Sequence, residues 1–277
     1  MMMAQQGIKD PETFAWNTIY TYTVNATATT VTAWIGGEAS NDVTVPSKIG
    51  NTIGDKRLPA FYNSNSTFRG NTAVRTVNIE DNSTWFVGGT MNTMADAFNG
   101  CRLLTGVNSI PANVTNMYCT FRNCPNLVNA PTIPANVTSM AYTFYSCSNL
   151  VNAPAIPAKV TNMHYTFYSC SNLVNAPTIP ANVTSMHYTF YSCSNLVNAP
   201  EIGQNVVNHH STFKSCTNLA GNITLINTSV TEANMTNMFY GCNASIAKNL
   251  RCPSGSATYN SAINVVDGKN GVTVVAY

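Results

Sequence analysis

CSNLVNAPAIPAKVTNMHYTFYS, residues 147–169, runs straight into CSNLVNAPTIPANVTSMHYTFYS, residues 170–192, and the two stretches of 23 residues differ at three positions. Cys101, Cys124, Cys147, Cys170, Cys193 and Cys216 stand 23 residues apart, and Cys242 follows after 26, so one unit recurs at least seven times. Upstream, Thr67, Phe68 and Asn71 hold the places that later units give to Thr, Phe and Cys. The array therefore begins near residue 60. No single unit closes a core, but stacked units align Leu on Leu, Met on Met and Phe on Phe, so the fold expected is a repeat solenoid.

Within a unit, Val160, Met163, Phe167 and Cys170 fall at i, i+3, i+7 and i+10, the spacing of one face of a short helix or helical turn. Pro177 and Pro180 exclude a helix from residues 173–180 and leave them extended or edge-like. Residues 18–35, TIYTYTVNATATTVTAWI, alternate Thr, Val and Tyr and predict a β-rich cap. In residues 253–277, Val-rich runs flank Asp267-Gly268 and Asn270-Gly271, which predicts a β-hairpin cap.

The TFYSCSNL step, the Ile-Pro step and Val-Thr-x-Met together resemble BspA-type leucine-rich repeats. GGEASNDVTVPSKIGNTIGD, residues 36–55, resembles the Gly-rich turn, VxIPS strand and IGD step that open such arrays. Ala97-Phe98-Asn99-Gly100-Cys101 meets the family's AFxGC step, whereas later units replace Ala with Thr and Gly with Ser. The resemblance spans residues 18–250 and implies a curved solenoid of leucine-rich-repeat type, with a short strand plus a short helix or helical turn per unit and small β caps at both ends. The organisation expected is an attachment or flexible segment at 1–17, a β-rich cap at 18–60, the solenoid at 61–252 and the hairpin cap at 253–277.

Composition narrows the function. Apolar residues make up 44% of the 277 residues and charged ones 9%, well below the usual share of about a quarter. The surface is thus polar but mostly uncharged. A net charge of +2 supplies no broad cationic face, so nucleic acid is not an expected partner. No apolar run is long enough to span a bilayer, and residues 1–10, MMMAQQGIKD, lack the pattern of a secretory signal.

No catalytic, cofactor or metal site is expected. Asp and Glu are absent between Ala97 and Pro200, which denies the main array paired carboxylates for acid/base chemistry, and Asp42, Glu80, Asp81 and Glu201 are scattered singly. His209 takes the place held by Met186 one unit earlier and reads as a packing variant, and no Cys-x-x-Cys accompanies it and His210. The cysteine ladder reads either as free thiols filling a repeated slot or as bridges between units, and seven members cannot all pair. The Asn-x-Thr triplets at Asn113, Asn136 and Asn182 follow from duplication in an Asn- and Thr-rich chain.

Surface columns remain. Tyr142, Tyr165 and Tyr188 form one, Tyr145, Tyr168 and Tyr191 a second, and His164 with His187 a third. Tyrosine is stiff and amphipathic, so these columns read as a binding surface, or as rings stacked on their equivalents to stabilise the coil. Asn152, Asn175 and Asn198 suit an amide ladder. The function expected is a non-enzymatic binding or structural protein, first a bacteriophage virion component such as a fibre, receptor-binding or decoration protein. It would dock on other virion proteins through residues 1–17 and present the repeats to host glycans or proteins, in the virion or the extracellular space. The alternative is a cell-surface adhesin of a bacterium or protist, and either role is compatible with homo-oligomers.

Overall fold

The computed structural model describes residues 20–24, 29–34, 42–45, 68–79, 93–266 and 269–277. The attachment segment expected at 1–17, as well as Thr67, Glu80 and Asp81, lies outside them. Strands β1 (Tyr20–Val24) and β2 (Thr29–Trp34) pair antiparallel within the region expected as an N-terminal β cap. Strand β3 (Asp42–Val45) instead pairs parallel with β4 (Thr76–Ile79), which pairs with β5 (Gly106–Val107), so 42–45 is already a rung of the coil.

From residue 93 to 220 the rungs are joined by parallel bridges at two places per turn. One column runs Thr93, Asn116, Ser139, Asn162, Ser185, Asn208, and the other Asn129, Asn152, Asn175, Asn198, Ala220. The expected Asn ladder is thus a backbone ladder, and Asn198 Nδ2 also donates to Asn175 Oδ1 at 3.1 Å. The coil ends in a parallel sheet of β6 (Gly221–Thr224), β7 (Lys248–Cys252) and β8 (Val272–Ala276).

The interior is a set of columns, one residue per turn. Phe68, Phe98, Phe121, Phe144, Phe167, Phe190, Phe213 and Phe239 stack in order, neighbouring centroids lying between 5.4 and 5.8 Å apart. Leu150, Leu173 and Leu196, Met140, Met163 and Met186, and Val137, Val160 and Val183 are fully buried in the same register. Stacking supplies the apolar burial that one 23-residue turn lacks.

Residues 160–170 bury the face that the sequence predicts, but not as a helix. Thr166, Tyr168 and Cys170 donate their N–H groups to the carbonyls of Met163, Tyr165 and Phe167, three residues back. Met163, Tyr165, Phe167 and Ser169 donate theirs to Ser185, His187, Thr189 and Tyr191 of the next unit. Alternate N–H groups therefore point along the solenoid, which an α-helix cannot arrange, because its N–H groups are consumed within the helix. Tyr165 (φ 56°) and Ser169 (φ 56°) are left-handed, at the third position of their turns, where type II geometry takes such a residue. The only α-helices among the described residues are α1 (Glu232–Met235), in the unit that is three residues longer than the rest, and α2 (Ala257–Val266).

The hairpin expected at 253–277 does not form. Helix α2 buries Thr258, Ser261, Ala262 and Val266, and β8 lies parallel to β7. Two strands joined by a tight turn run antiparallel, whereas a helix between them returns the chain parallel. This segment is one more turn of the coil, with Asn270 (φ 52°) and Gly271 (φ 72°) turning from the helix into the strand.

Candidate functional site

The repeat brings all eight sequence-predicted surface residues onto one strip. Tyr142, Tyr165 and Tyr188 stack face to face with centroids 4.6 Å apart and interplanar angles of 6° and 10°. Tyr145, Tyr168 and Tyr191 stack at 4.5 Å with angles of 4° and 7°. His164 stacks on His187 at 4.9 Å, edge-on to Tyr142 and Tyr165. All eight side chains are half-buried, their rings packed on one another.

Two residues of this strip are invisible to a search for periodicity because they interrupt the Tyr pattern rather than repeat it. Arg122 and Lys214 hold the places of Tyr145 and Tyr191 one unit before and one unit after. The Arg122 guanidinium lies 5.1 Å from the Tyr145 centroid and 5.9 Å from that of Tyr142, and the Lys214 ammonium 5.4 Å from that of Tyr191. His210 continues the column of His164 and His187 and meets Tyr188 at 5.1 Å, tilted by 46°. Cations over ring faces are favourable contacts of about 0.5–1 kcal/mol at exposed sites. Both faces of all six tyrosine rings now meet a neighbour, so the strip offers hydroxyls and ring edges at the pitch of the rungs, not open aromatic platforms.

Electrostatics fit a neutral comb between two cations. Burial and the neighbouring phenols push Tyr165 and Tyr168 up to about 12, so both hydroxyls stay protonated as donors. Burial lowers His164, and burial with its histidine neighbours lowers His187, which favours the neutral rings. Asn162 Oδ1 accepts from the His164 backbone N–H, and Ser185 Oγ bonds the His187 Nδ1, fixing these side chains at the foot of the strip.

The backbone beneath is unusual for its residues. Tyr142, Tyr165 and Tyr188 sit at φ 56–58°, where the flanking units place Asp96, Cys119, Ser211 and Asn237. Left-handed backbone costs an L-residue about 1–2 kcal/mol, least for Gly, Asn and Asp. Asp96 and Asn237 at the two ends follow that preference, and the turns between them depart from it, the central three with a bulky ring.

All nine cysteines are free and buried, and burial raises their pKa values. His209 fills the Met column, fully buried, its ring nitrogens without hydrogen-bond partners, and burial draws it down to about 4 against an opposing pull from the Val206 carbonyl. Among the described residues no three His, Cys, Asp or Glu side chains are grouped as a metal site would require, and no helix is long and apolar enough to cross a membrane. Glu201 lines a shallow cleft of about 430 Å³ with Pro177, Ile179 and Pro200, without a second acid beside it.

The family model described as BspA type leucine rich repeat region matches residues 64–197 and 155–263, with six copies. The chain belongs to the BspA-type leucine-rich repeat family. Among solved structures, this BspA-type chain is similar to the leucine-rich repeat protein of T. pallidum, at 21% identity over 67% of this chain and 82% of that one, with a TM-score of 0.45. It is also similar to a leucine-rich repeat protein from Bacteroides ovatus, at 17% identity over 93% and 75% of the two chains, with a TM-score of 0.48. No curated protein matches it.

Proposed function

We propose that this repeat protein is a non-enzymatic recognition module whose working face is the strip of Tyr142, Tyr145, His164, Tyr165, Tyr168, His187, Tyr188 and Tyr191, meeting a surface glycan or protein of a host. The observation that carries this reading is the left-handed backbone under Tyr142, Tyr165 and Tyr188. A residue kept where it strains the chain points to a use beyond folding. With ring faces already covered, the partner is met through hydroxyls and ring edges. Each rung contributes weakly and the sum depends on several engaged together.

The test replaces all three by asparagine, which suits left-handed backbone. Binding of the labelled protein to host surface material is measured beside thermal unfolding. Binding is expected to fall at least about tenfold while the midpoint moves by only a few degrees. Undiminished binding would sink the reading and leave the tyrosines as spacers.

The setting we propose is a bacteriophage particle, held through residues 1–17. A polar, weakly charged repeat that gives reach supports this. Family membership favours a second setting, a cell-surface adhesin. Mass spectrometry separates them: a fixed stoichiometry in purified particles is expected for the first, and a cell-bound chain absent from particles for the second.

A further inference from the structure

The outer tyrosine column does not stop at Lys214. The next unit is three residues longer, and the ring in that place is Tyr240, whose centroid lies 5.0 Å from the Lys214 ammonium. Lys214 belongs to the preceding turn and covers Tyr240 from that side. On the other side no ring follows among the described residues, and α2 and the 269–271 turn lie there instead. Tyr240 is 60% exposed, the highest value among the large hydrophobic side chains described, and it lines a cleft of about 340 Å³ with Asn237, Asn264, Lys269 and Asn270. Of the rings in this column, Tyr240 alone has an open face.

The polar groups around that face are partly committed. Glu232 Oε1 accepts from Asn264 Nδ2 at 2.6 Å, so the Asn264 oxygen is the end of the amide left to accept from a ligand. The Lys269 ammonium donates to the Val265 and Asn264 carbonyls at 2.9 and 3.5 Å, and an ammonium has three donors. Asn237 (φ 58°) adds a second amide on the lining. Among the described residues no carboxylate lines the cleft.

We infer that this cleft binds a single pyranose, the end residue of a glycan, with its C–H face on the open side of Tyr240 and its rim hydroxyls on Asn237, Asn264 and Lys269. The size suits one ring, since ligand pockets run from about 300 to 1,000 Å³. A flat aromatic ligand would cover Tyr240 but leave the amides and the ammonium unmatched, which is costly once water is excluded. An anion would find one ammonium already bound to two carbonyls. A pyranose alone of these joins an apolar face to a ring of hydroxyls. The site uses none of the strip's tyrosines and stands without the strip reading.

Saturation-transfer NMR of the full chain with methyl glycosides of galactose, glucose, mannose and N-acetylglucosamine tests it. At least one glycoside is expected to receive transfer strongest on its ring C–H protons. Tyr240→Ala should lower that affinity by about tenfold or more, whereas Tyr240→Phe keeps it, because the ring and not the hydroxyl is the platform. Asn264→Ala serves as the second lesion, and Val128→Thr, an exposed position outside both the cleft and the strip, should bind as the unaltered chain does. No transfer to any of the four glycosides, or transfer unchanged in both Tyr240→Ala and Asn264→Ala, overturns the inference.

Discussion

The thiol of Cys170 donates to the carbonyl of Phe144, one turn upstream, at 3.1 Å, and Cys124, Cys147, Cys193, Cys216 and Cys242 repeat the contact with Phe98, Phe121, Phe167, Phe190 and Phe213. Each cysteine thus fills a gap between turns and satisfies a carbonyl at once. Burial raises Cys101 to about 12 and Cys242 to about 11, and both access and thiolate are withheld from reagents. Folded protein treated with a thiol-reactive disulfide reagent at pH 8 should show almost no fast-reacting cysteine, and all nine should react in denaturant. Fast labelling of several cysteines without unfolding would contradict the ladder.

The register of these columns was legible from Cys101 to Cys216, since identical spacing forces identical surroundings. The backbone was not. Met163, Phe167 and Cys170 share a face in a helix, and they also share one in consecutive turns with left-handed residues at Tyr165 and Ser169. Apolar spacing alone does not separate the two. Thr166 shows what was missed: it lies outside the predicted apolar face, yet it is fully buried and its one hydroxyl proton is shared between the carbonyls of Met140 at 2.9 Å and Met163 at 2.8 Å. The signal was present in the Thr-Phe pair repeated at 143, 166, 189 and 212. The tyrosine columns were visible as a period, whereas Arg122, Lys214 and Tyr240 matter because they break it.

His209 makes the array sensitive to acid. Its pKa is about 4 folded and near 6.5 unfolded, so between those values the unfolded chain binds the extra proton and stability rises with pH. The neutral ring is fully accommodated above about 6.5. As pH falls from there through 4, up to about 3 kcal/mol is lost. His209→Met restores the residue used by the preceding turns and removes two unpartnered nitrogens from the core. Its unfolding free energy should exceed that of the unaltered chain by about 1–3 kcal/mol at pH 7 and by more at pH 4.5. Parallel pH profiles for the two proteins would exclude His209 as the origin.

Lys248 closes the C-terminal turn. Its side chain is buried, and the ammonium donates to the carbonyls of Asn243, Ile246 and Asn270 at 2.8, 2.6 and 3.1 Å, using all three donors. Burial lowers its pKa, yet three carbonyls from two turns hold the charge. Lys248→Met keeps the stem and strands those carbonyls. It should destabilise the protein by about 2–4 kcal/mol, with amide exchange accelerating first in β8. Uniform acceleration over all turns would show the last turn to be no separate unit.

Removing residues 147–169 tests whether the turns are interchangeable. After the deletion Cys170 follows Ser146 and takes the place of Cys147 against Phe121, while Phe144 faces Thr189 in place of Thr166. The N–H groups of Met140, Tyr142, Phe144 and Ser146, which bond Asn162, His164, Thr166 and Tyr168, find Ser185, His187, Thr189 and Tyr191 in the same positions. Every column closes with equivalent atoms, and the loss is one turn and one interface from an array whose stability is roughly additive. The shortened protein should fold, unfold a few degrees lower, and bind its partner severalfold more weakly, since each tyrosine column falls from three rings to two. Removing only residues 147–158 instead brings Lys159 after Ser146, sets Phe167 out of register with Phe144, and should leave the chain unfolded by circular dichroism. Equal stability of the two deletions would refute the column architecture, and complete loss of binding in the folded 23-residue deletion would place recognition in the deleted turn alone.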